Sequence, residues 1–394
     1  MMQFGEHKDV YVDFDLEINV DNSQVPISIA MCYPYSYSEL QSYLECLDET
    51  MTNVPSVYYH REHLVNSYEG RRLDLLTISS NDKIENDTEG LTHSVLFPSF
   101  NGVSTARKFK VEKRIALITA RVHPGETPSS YAVQGVINML TDPSSSVAEA
   151  LRRMFVFKIV PMLNPDGVFR GHFRTDCLLQ DLNRYYDEPT PQNHSPAFAI
   201  CELMKYFNTN KRLWFFCDYH SHGLPRDCYL YGNFLRYTLQ VESKTFAKLM
   251  EVNSPEFSYA DCDFSFKNMG FKTGTKKKNK NIKTKIGCSR VVAFRSSLLI
   301  HSFTLEIGYH GMVRRGCKQM NLPINDPDDD DECPEELDSP TLNLADSPLT
   351  RTINPQEEEQ VSPAQDANQF PPPFTPETFR AIGTSILDSL LDLF

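Results

Sequence analysis

Two histidines and one glutamate in this sequence have the types and the spacing of zinc ligands. His123 and Glu126 stand three residues apart, directly after the apolar run Ile115–Ala120. His220 follows a second apolar run, Leu213–Tyr219. Histidine nitrogens and carboxylates are common zinc ligands, and three protein ligands leave a fourth position for water. The pattern therefore predicts a catalytic zinc site, because a closed structural site needs a fourth protein ligand.

The composition is that of an ordinary globular protein. Of the 394 residues, 40% are hydrophobic and 23% charged, which is enough to build the core of one large domain or two smaller ones. The formal net charge of −13 and a pI near 5.3 argue against a nucleic-acid binder, because phosphate contacts need a basic surface.

The sequence shows no targeting or anchoring pattern. No basic stretch precedes an apolar core at the first residues, and no run of about 18 apolar residues occurs. We therefore expect neither an export signal nor a membrane anchor.

Ten cysteines are scattered without a CxxC pair, and several stand in apolar runs such as Phe216-Cys217-Asp218. This distribution is typical of reduced, buried thiols in the cytosol rather than of disulfides.

Apolar runs alternate with segments of helical period along much of the chain. The runs Ile115–Ala120, Phe155–Val160, Leu213–Tyr219 and Ile300–Glu306 predict strands, and the segments Ser130–Leu140 and Ala197–Tyr206 predict helices. This order predicts an α/β fold with a mixed, mostly parallel twisted sheet and helices on both faces. Ligands of such sheets bind at the carboxyl ends of the strands, where His123, His220 and Glu306 fall.

The sequence divides into four predicted parts. Residues 1–40 contain two strand patterns and predict the remnant of an N-terminal β domain. Residues 41–322 form the predicted catalytic domain. Residues 323–373 are first acidic and then rich in proline and glutamine, which predicts a disordered insertion. Residues 374–394 predict a helix that begins after Thr375 and packs on the catalytic domain.

Five motifs stand in the order found in funnelin-type zinc carboxypeptidases. They are Ala120-Arg-Val-His-Pro-Gly-Glu-Thr-Pro-Ser129, Pro161-Met-Leu-Asn-Pro-Asp-Gly167, Asp181-Leu-Asn-Arg184, Asp218-Tyr-His-Ser-His222 and Phe303-Thr-Leu-Glu306. Within that group the chain resembles the cytosolic carboxypeptidases, through segments such as Tyr33-Pro-Tyr-Ser-Tyr37 and Arg170-Gly-His-Phe-Arg-Thr-Asp176. The resemblance implies the zinc carboxypeptidase fold for the catalytic domain.

The resemblance also implies the metal ligands and the general base. One zinc ion is expected on His123, Glu126 and His220, with Asp181 orienting the first histidine. Glu306 matches the family's general base, which takes a proton from zinc-bound water and passes it to the leaving amine. An ordinary salt-bridged glutamate is the alternative for Glu306, and the apolar residues on either side of it argue against that alternative.

Four arginine and asparagine positions match residues that bind substrate in the family. Asn183 and Arg184 correspond to the pair that holds the terminal carboxylate, and Arg174 to the arginine that supports the oxyanion. Arg290 has the position of the basic residue that meets an acidic substrate side chain in cytosolic members. Arg295 and the lysine-rich segment 272–285 are alternatives for that last role.

The resemblance implies a zinc metallocarboxypeptidase that removes glutamate from C-terminal or branched polyglutamate chains of tubulin and similar acidic-tailed proteins. The resemblance implies a cytoplasmic protein that associates with microtubules or cilia, and the nucleus is an alternative location. No nucleic-acid or membrane partner is expected. One alternative is a zinc amidohydrolase of the aspartoacylase type, which shares the His-x-x-Glu plus His arrangement. A second alternative is an inactive tubulin-binding module, which would be expected to lack a ligand or the base.

Overall fold

The computed structural model describes residues 30–209, 212–224, 227–270, 285–309 and 374–394. The chain divides into two compact units, Met1–Met31 and Cys32–Phe394, and every described helix and strand belongs to the second. Most of the predicted N-terminal strands, the lysine-rich segment before residue 285 and the predicted insertion lie outside the described residues.

Nine strands and eight α-helices occur in the described part of the chain. The strands are β1 (Val57–Asn66), β2 (Arg72–Ser80), β3 (Ile84–Thr88), β4 (Arg107–Phe109), β5 (Arg114–Ala120), β6 (Phe155–Val160), β7 (Leu213–His222), β8 (Tyr229–Tyr231) and β9 (His301–Gly308). The helices are α1 (Tyr37–Met51), α2 (Thr127–Thr141), α3 (Ser146–Met154), α4 (Pro165–Arg170), α5 (Ser195–Thr209), α6 (Thr238–Asn253), α7 (Ser289–Ser297) and α8 (Pro376–Asp392). None of these described helices is both long and apolar enough to cross a membrane.

Seven strands form one sheet in the order β1-β2-β6-β5-β7-β9-β8. The strands β6, β5, β7 and β9 run parallel, whereas β1, β2 and β8 join through antiparallel pairs. The four parallel strands are almost entirely buried, which explains their continuous apolar sequences. The prediction of a mixed, mostly parallel sheet is confirmed.

Helices cover both faces of this sheet. Ile118 of β5 belongs to an apolar cluster that also contains residues of α2, α6 and α8. Its neighbour Leu117 belongs to a separate cluster that contains residues of α5. Successive side chains of a strand point to opposite faces, so the two clusters are the cores on either side of the sheet.

Strand β7 continues past the residue at which the sequence predicts its end. Residues His220–His222 pair in register with Glu306–Gly308 of β9. The prediction that the strand ends at Tyr219 is wrong, because hydrogen bonding to β9 keeps these polar residues in the sheet. His220 therefore lies on a strand and not in the loop that follows it.

Helix α8 packs closely against α2, the helix that begins directly after Glu126. A side chain added at Gly135 of α2 would collide with the backbone of Arg380 in α8. One added at Gly383 of α8 would collide with the backbone of Ala132 in α2. The two backbones approach this closely because glycine stands at both contact points, so α8 supports the helix that presents Glu126.

We predict that Gly383→Ala lowers the free energy of unfolding by about 1–3 kcal/mol, because the added methyl group meets the backbone of α2. Helix propensity alone would raise that free energy by about 1 kcal/mol, so the sign of the change is decisive. Urea unfolding of both proteins measures it. Gly90→Ala is the control, because nothing lies within 4 Å of its added group. A stabilised Gly383→Ala variant would contradict the close contact.

Candidate active site

Three neighbouring strands bring the candidate residues together at their carboxyl ends. His123 stands in the loop after β5, and Glu126 is the N-cap residue of α2. His220 lies near the end of β7 and Glu306 near the end of β9, and the two are register partners. Because β5, β7 and β9 are adjacent and parallel, their ends meet at one side of the sheet.

The side chains of His123, Glu126 and His220 converge on one buried point. His123 Nδ1 lies 2.7 Å from Glu126 Oε1, and His220 Nδ1 lies 3.1 Å from Glu126 Oε2. The two Nδ1 atoms are 3.1 Å apart. On a tetrahedral zinc ion with Zn–N distances of about 2.0–2.1 Å, two nitrogens lie about 3.3 Å apart. The three side chains therefore have the donor types and the spacing of a zinc site.

Two carboxylates determine which nitrogen of each imidazole faces this point. His123 Nε2 lies 3.1 Å from Asp181 Oδ1, and His220 Nε2 lies 3.0 Å from Asp218 Oδ2. A carboxylate only accepts hydrogen bonds, so with a metal bound each Nε2 would donate to its carboxylate and leave the Nδ1 lone pair of each ring for the metal. A carboxylate that orients a ligating imidazole from its far nitrogen is common at metal sites, which is a further argument for a metal.

The contact between Asp218 and His220 is one that the sequence analysis missed. The signal for it was available, because residues two apart on a strand point to the same face. Asp218 is fully buried and accepts further hydrogen bonds from Thr119 Oγ1 and Ser289 Oγ, both at 2.7 Å. These two contacts had no local signal, since their donors lie on other elements.

The carboxylates also change the pKa values of the site. Burial alone would lower the pKa of His220, but Asp218 and Glu126 outweigh burial and raise that pKa well above its usual value. In the same way Glu126 and Asp181 raise the pKa of His123 against the effect of burial. Burial raises the pKa of Glu126, but the two histidines bring it below its usual range. This excess of negative charge around two imidazoles favours a bound cation.

The turn that carries His123 is held by Arg121, for which the sequence predicts no role. Arg121 is 2% exposed and donates to the carbonyl of Pro124 at 2.8 Å, to Ser130 Oγ at 2.7 Å and to the carbonyl of Tyr35 at 3.1 Å. Its backbone is left-handed, with φ of 59°, a conformation that is unfavourable for a residue with a side chain. The three hydrogen bonds offset this strain and fix the loop between β5 and α2.

Glu306 lies beside His220 on the neighbouring strand. The residues on either side of it, Leu305 and Ile307, are fully buried. Burial, together with the charge of Glu126, raises the pKa of Glu306 to about 7. A carboxyl group with a pKa near neutrality both accepts and donates protons readily, which suits general acid–base chemistry.

Arg174 lies beside the carboxylate that contacts His123. Its Nε and Nη2 atoms are 2.9 and 2.8 Å from Oδ2 of Asp181, and its side chain is 44% exposed. Its charge also lowers the pKa of Glu306, which places it within electrostatic reach of that carboxyl group. The structure therefore brings Arg174 to the edge of the site.

Asn183 and Arg184 lie in a short 3-10 turn that begins after Asp181. Asn183 is buried, with its Nδ2 atom 3.4 Å from His220 Nε2 and its Oδ1 atom accepting from the backbone N–H of Ser289 at 3.0 Å. Arg184 Nη1 donates to the carbonyl of Asn183 at 2.7 Å. Asn183 thus lies against a candidate metal ligand, and Arg184 lies beside Asn183.

Arg290 lies in the first turn of α7 and is 2% exposed. Its Nη1 atom donates to the carbonyl of Gly232 and to Asn233 Oδ1, and its Nη2 atom donates to the carbonyl of Asn268 at 3.2 Å. Its Nε atom has no hydrogen-bond partner among the described residues. All of these hydrogen-bond acceptors are neutral amide groups, so no carboxylate bonds directly to this buried positive charge.

The alternatives to Arg290 differ from it in burial. Arg295, one turn further along α7, is exposed. Lys285 is the one lysine of the lysine-rich segment that the structure describes, and its Nζ donates to Asn268 Oδ1 at 2.7 Å. Lys285 and Arg290 therefore both bond to Asn268, which brings two positive charges close together.

The chain is similar to the zinc carboxypeptidase family over part of its length. Residues 43–224, which include His123, Glu126 and His220, match the family model described as Zinc carboxypeptidase. A metallo-carboxypeptidase from Burkholderia cenocepacia has the same fold, with a TM-score of 0.57 and 19% identity, covering 91% of this chain and 69% of that one. The fold and family that the motifs predict are confirmed.

Among curated relatives, the chain is similar to cytosolic carboxypeptidases. It is 32% identical to cytosolic carboxypeptidase-like protein 5 of Bos taurus, over 71% of this chain and 42% of the relative. It is also 32% identical to cytosolic carboxypeptidase 6 of Homo sapiens, over 79% of this chain and 54% of the relative. The chain thus spans about half the length of the relatives it matches, and the predicted resemblance to this branch is confirmed.

We predict that zinc stabilises the folded chain, because the three ligands converge only after folding. Zinc at about 100 times its Kd should raise the free energy of unfolding by about 2.7 kcal/mol, and a chelator should remove this gain. Thermal unfolding with zinc and with chelator measures the shift. His220→Ala should abolish it, whereas His63→Ala, whose ring contacts Ser99 and Asn66, should retain it. An equal shift in both variants would exclude His220 as a ligand.

Proposed function

We propose that the chain is a zinc-dependent metallocarboxypeptidase that removes glutamate from C-terminal or branched polyglutamate chains of tubulin and similar acidic-tailed proteins. The observation that supports this most is the convergence of His123, Glu126 and His220 beside Glu306, in a chain similar to the zinc carboxypeptidase family. The cytoplasm is the proposed location, in line with the names of the cytosolic relatives.

Glu306 moves the proton in the proposed reaction. A zinc ion, when bound, lowers the pKa of water and polarises the scissile carbonyl. Glu306 accepts a proton from the attacking water and donates it to the leaving nitrogen. Burial raises the pKa of Glu306, which favours its uptake of the proton from the attacking water.

Arg174 stabilises the negative charge that develops on the carbonyl oxygen. A guanidinium has five N–H groups, of which Asp181 engages two. With 44% of its side chain exposed, Arg174 has both donors and access to a substrate. A positive charge placed where the oxyanion forms lowers the barrier more than it strengthens substrate binding.

Asn183 and Arg184 bind the terminal carboxylate of the substrate, which makes the enzyme an exopeptidase. Asn183 offers an amide N–H group beside His220, and Arg184 offers a guanidinium anchored to the same turn. A chain without a free carboxylate there loses charge-assisted hydrogen bonds and its orientation. Both linear and branched glutamyl chains end in such a carboxylate.

Arg290 provides the preference for glutamate. A buried guanidinium with neutral partners carries a charge that no protein carboxylate offsets among its hydrogen-bond partners. A substrate side-chain carboxylate would supply that partner, and the Nε atom is an available donor in the described structure. Lys285 adds a second charge nearby, and burial with the charges of Arg290 and Arg184 lowers its own pKa.

Replacing the general base tests the reaction. We predict that Glu306→Gln lowers kcat for a polyglutamate peptide by about 100-fold or more, while zinc binding is retained. Mass spectrometry of released glutamate measures the rate, and Glu45→Gln, an exposed change in α1, is the control. Equal rates in wild type and Glu306→Gln would refute this role.

Two further outcomes of that assay would favour one of the two alternative functions, an inactive binding module or an amidohydrolase. A folded, zinc-loaded wild type that releases no glutamate would indicate a tubulin-binding module without activity. Hydrolysis confined to small N-acyl amino acids would indicate an amidohydrolase of the aspartoacylase type.

Replacing the buried arginine tests the preference for glutamate. We predict that Arg290→Gln lowers kcat/KM for peptides ending in glutamate by about 10–100-fold, as expected for the loss of a hydrogen bond to a charged group. Peptides ending in glutamine should be affected less, because they carry no side-chain charge. Arg295→Gln, an exposed change in the same helix, is the matched control. A larger effect of Arg295→Gln would transfer the role to that residue.

A further inference from the structure

The carboxylate of Asp218 receives three hydrogen bonds inside the protein. It is fully buried, and its Oδ2 atom accepts from His220 Nε2 at 3.0 Å and from Ser289 Oγ at 2.7 Å. Its Oδ1 atom accepts from Thr119 Oγ1 at 2.7 Å. A buried carboxylate needs such partners to stay ionised, and each one also restricts its rotation. The two hydroxyl donors therefore fix the oxygen that holds the ring of His220.

Ser289 makes a second contact that has a different origin. It is the first residue of α7, and the first N–H groups of a helix have no partner within the helix. The backbone N–H of Ser289 donates to Asn183 Oδ1 at 3.0 Å. This bond determines the orientation of the Asn183 amide, because its oxygen is engaged and its NH₂ group must point the other way.

The other end of the Asn183 amide faces the site. Its Nδ2 atom lies 3.4 Å from His220 Nε2, whose hydrogen is directed to Asp218. Since both nitrogens carry hydrogens, this is a contact between two donors and does not use up the hydrogens of the amide. The NH₂ group is thus oriented as a donor beside the metal ligands.

We propose that Ser289 is a positioning residue that sets two parts of the site at once. Its hydroxyl group, with that of Thr119, holds Asp218 and through it the ring of His220, so that His220 Nδ1 faces Glu126. Its backbone N–H group orients Asn183 toward the substrate. This inference rests on the proposed function in taking His220 as a zinc ligand and Asn183 as a carboxylate-binding residue. The residue that precedes Arg290 thereby links metal binding to substrate binding.

The alternative is that Ser289 only completes the hydrogen bonding of a buried helix end. In that case its loss would lower the stability of the metal-free protein and leave the intrinsic zinc affinity unchanged. A positioning role predicts weaker zinc binding as well: loss of the partner of a metal ligand typically lowers metal affinity about 10–100-fold, and Ser289, one step further out, should have an effect near the lower end. A measurement of zinc affinity therefore distinguishes the positioning role from the purely structural role.

The experiment is a competition titration of metal-free protein against a zinc-binding dye. We expect Ser289→Ala and Thr119→Val each to weaken zinc binding by about 10-fold, the lower end of the range for groups that orient a metal ligand. Thr119→Ser retains the hydroxyl group and should bind zinc within about twofold of wild type. Ser385→Ala is the matched control for a buried serine, because the Ser385 hydroxyl bonds only within α8 and to the sulfur of Met250, away from the site.

Thermal unfolding of each metal-free variant shows that it is folded, and Thr119→Val tests the same carboxylate if Ser289→Ala does not fold. Wild-type zinc affinity in both folded variants would overturn the proposal. A wild-type chain that binds no zinc would overturn it together with the proposed function. Because the titration uses no substrate, a missing peptidase activity leaves its result intact and counts against the proposed function alone.

Measuring kcat and KM of Ser289→Ala provides a second test, because a purely structural role predicts no separation between these two constants. The variant keeps the backbone N–H group, so the orientation of Asn183 is preserved. At saturating zinc we therefore expect the KM for a polyglutamate peptide within about twofold of wild type, with the defect confined to kcat and zinc affinity. A rise in KM with unchanged zinc affinity would contradict the division of roles between hydroxyl and backbone.

Discussion

Two imidazole nitrogens, Nδ1 of His123 and Nδ1 of His220, face each other at 3.1 Å, and the surrounding structure keeps them there. Their strands, β5 and β7, are hydrogen-bonded neighbours inside the sheet and pair as far as Ala120 and Tyr219, the residues just before the two histidine segments. Asp181 and Asp218 hold the far nitrogen of each ring. A cation bound to Glu126 and to both rings would satisfy all three side chains at once, so the site favours a bound positive charge.

The centre of the sheet was predictable from sequence, whereas its edges were not. Strands β5, β6, β7 and β9 are buried on both faces, which requires continuous apolar runs that are easily recognised. Edge strand β1 mixes buried and half-buried residues, and β8 has only three residues, so neither produces a clear period. Helix α8 was predictable for another reason: Thr375 and Pro376 mark its start, and its buried residues recur at helical spacing.

Some residues of the candidate site were likewise predictable from sequence, whereas others were not. His123 and Glu126 are close in sequence, so their spacing indicates a metal site without knowledge of the fold. The hydrogen bond between Ser289 and Asp218 joins residues 71 positions apart, and it depends on where α7 begins relative to β7. No local pattern encodes that relation. For Arg290 the motif predicted the position, but the neutral character of its partners emerges only from the packing of three separate segments.

The contact between α2 and α8 has a consequence for biosynthesis. Gln134 and Arg380, which bond across it, are 246 residues apart in the chain. At about 5–20 residues per second, a ribosome makes α8 roughly 10–50 s after α2. During that interval the face of α2 around Gly135 has no partner, although Glu126 has already been made. Folding of this domain is therefore completed only after α8 has been made, which is late in synthesis.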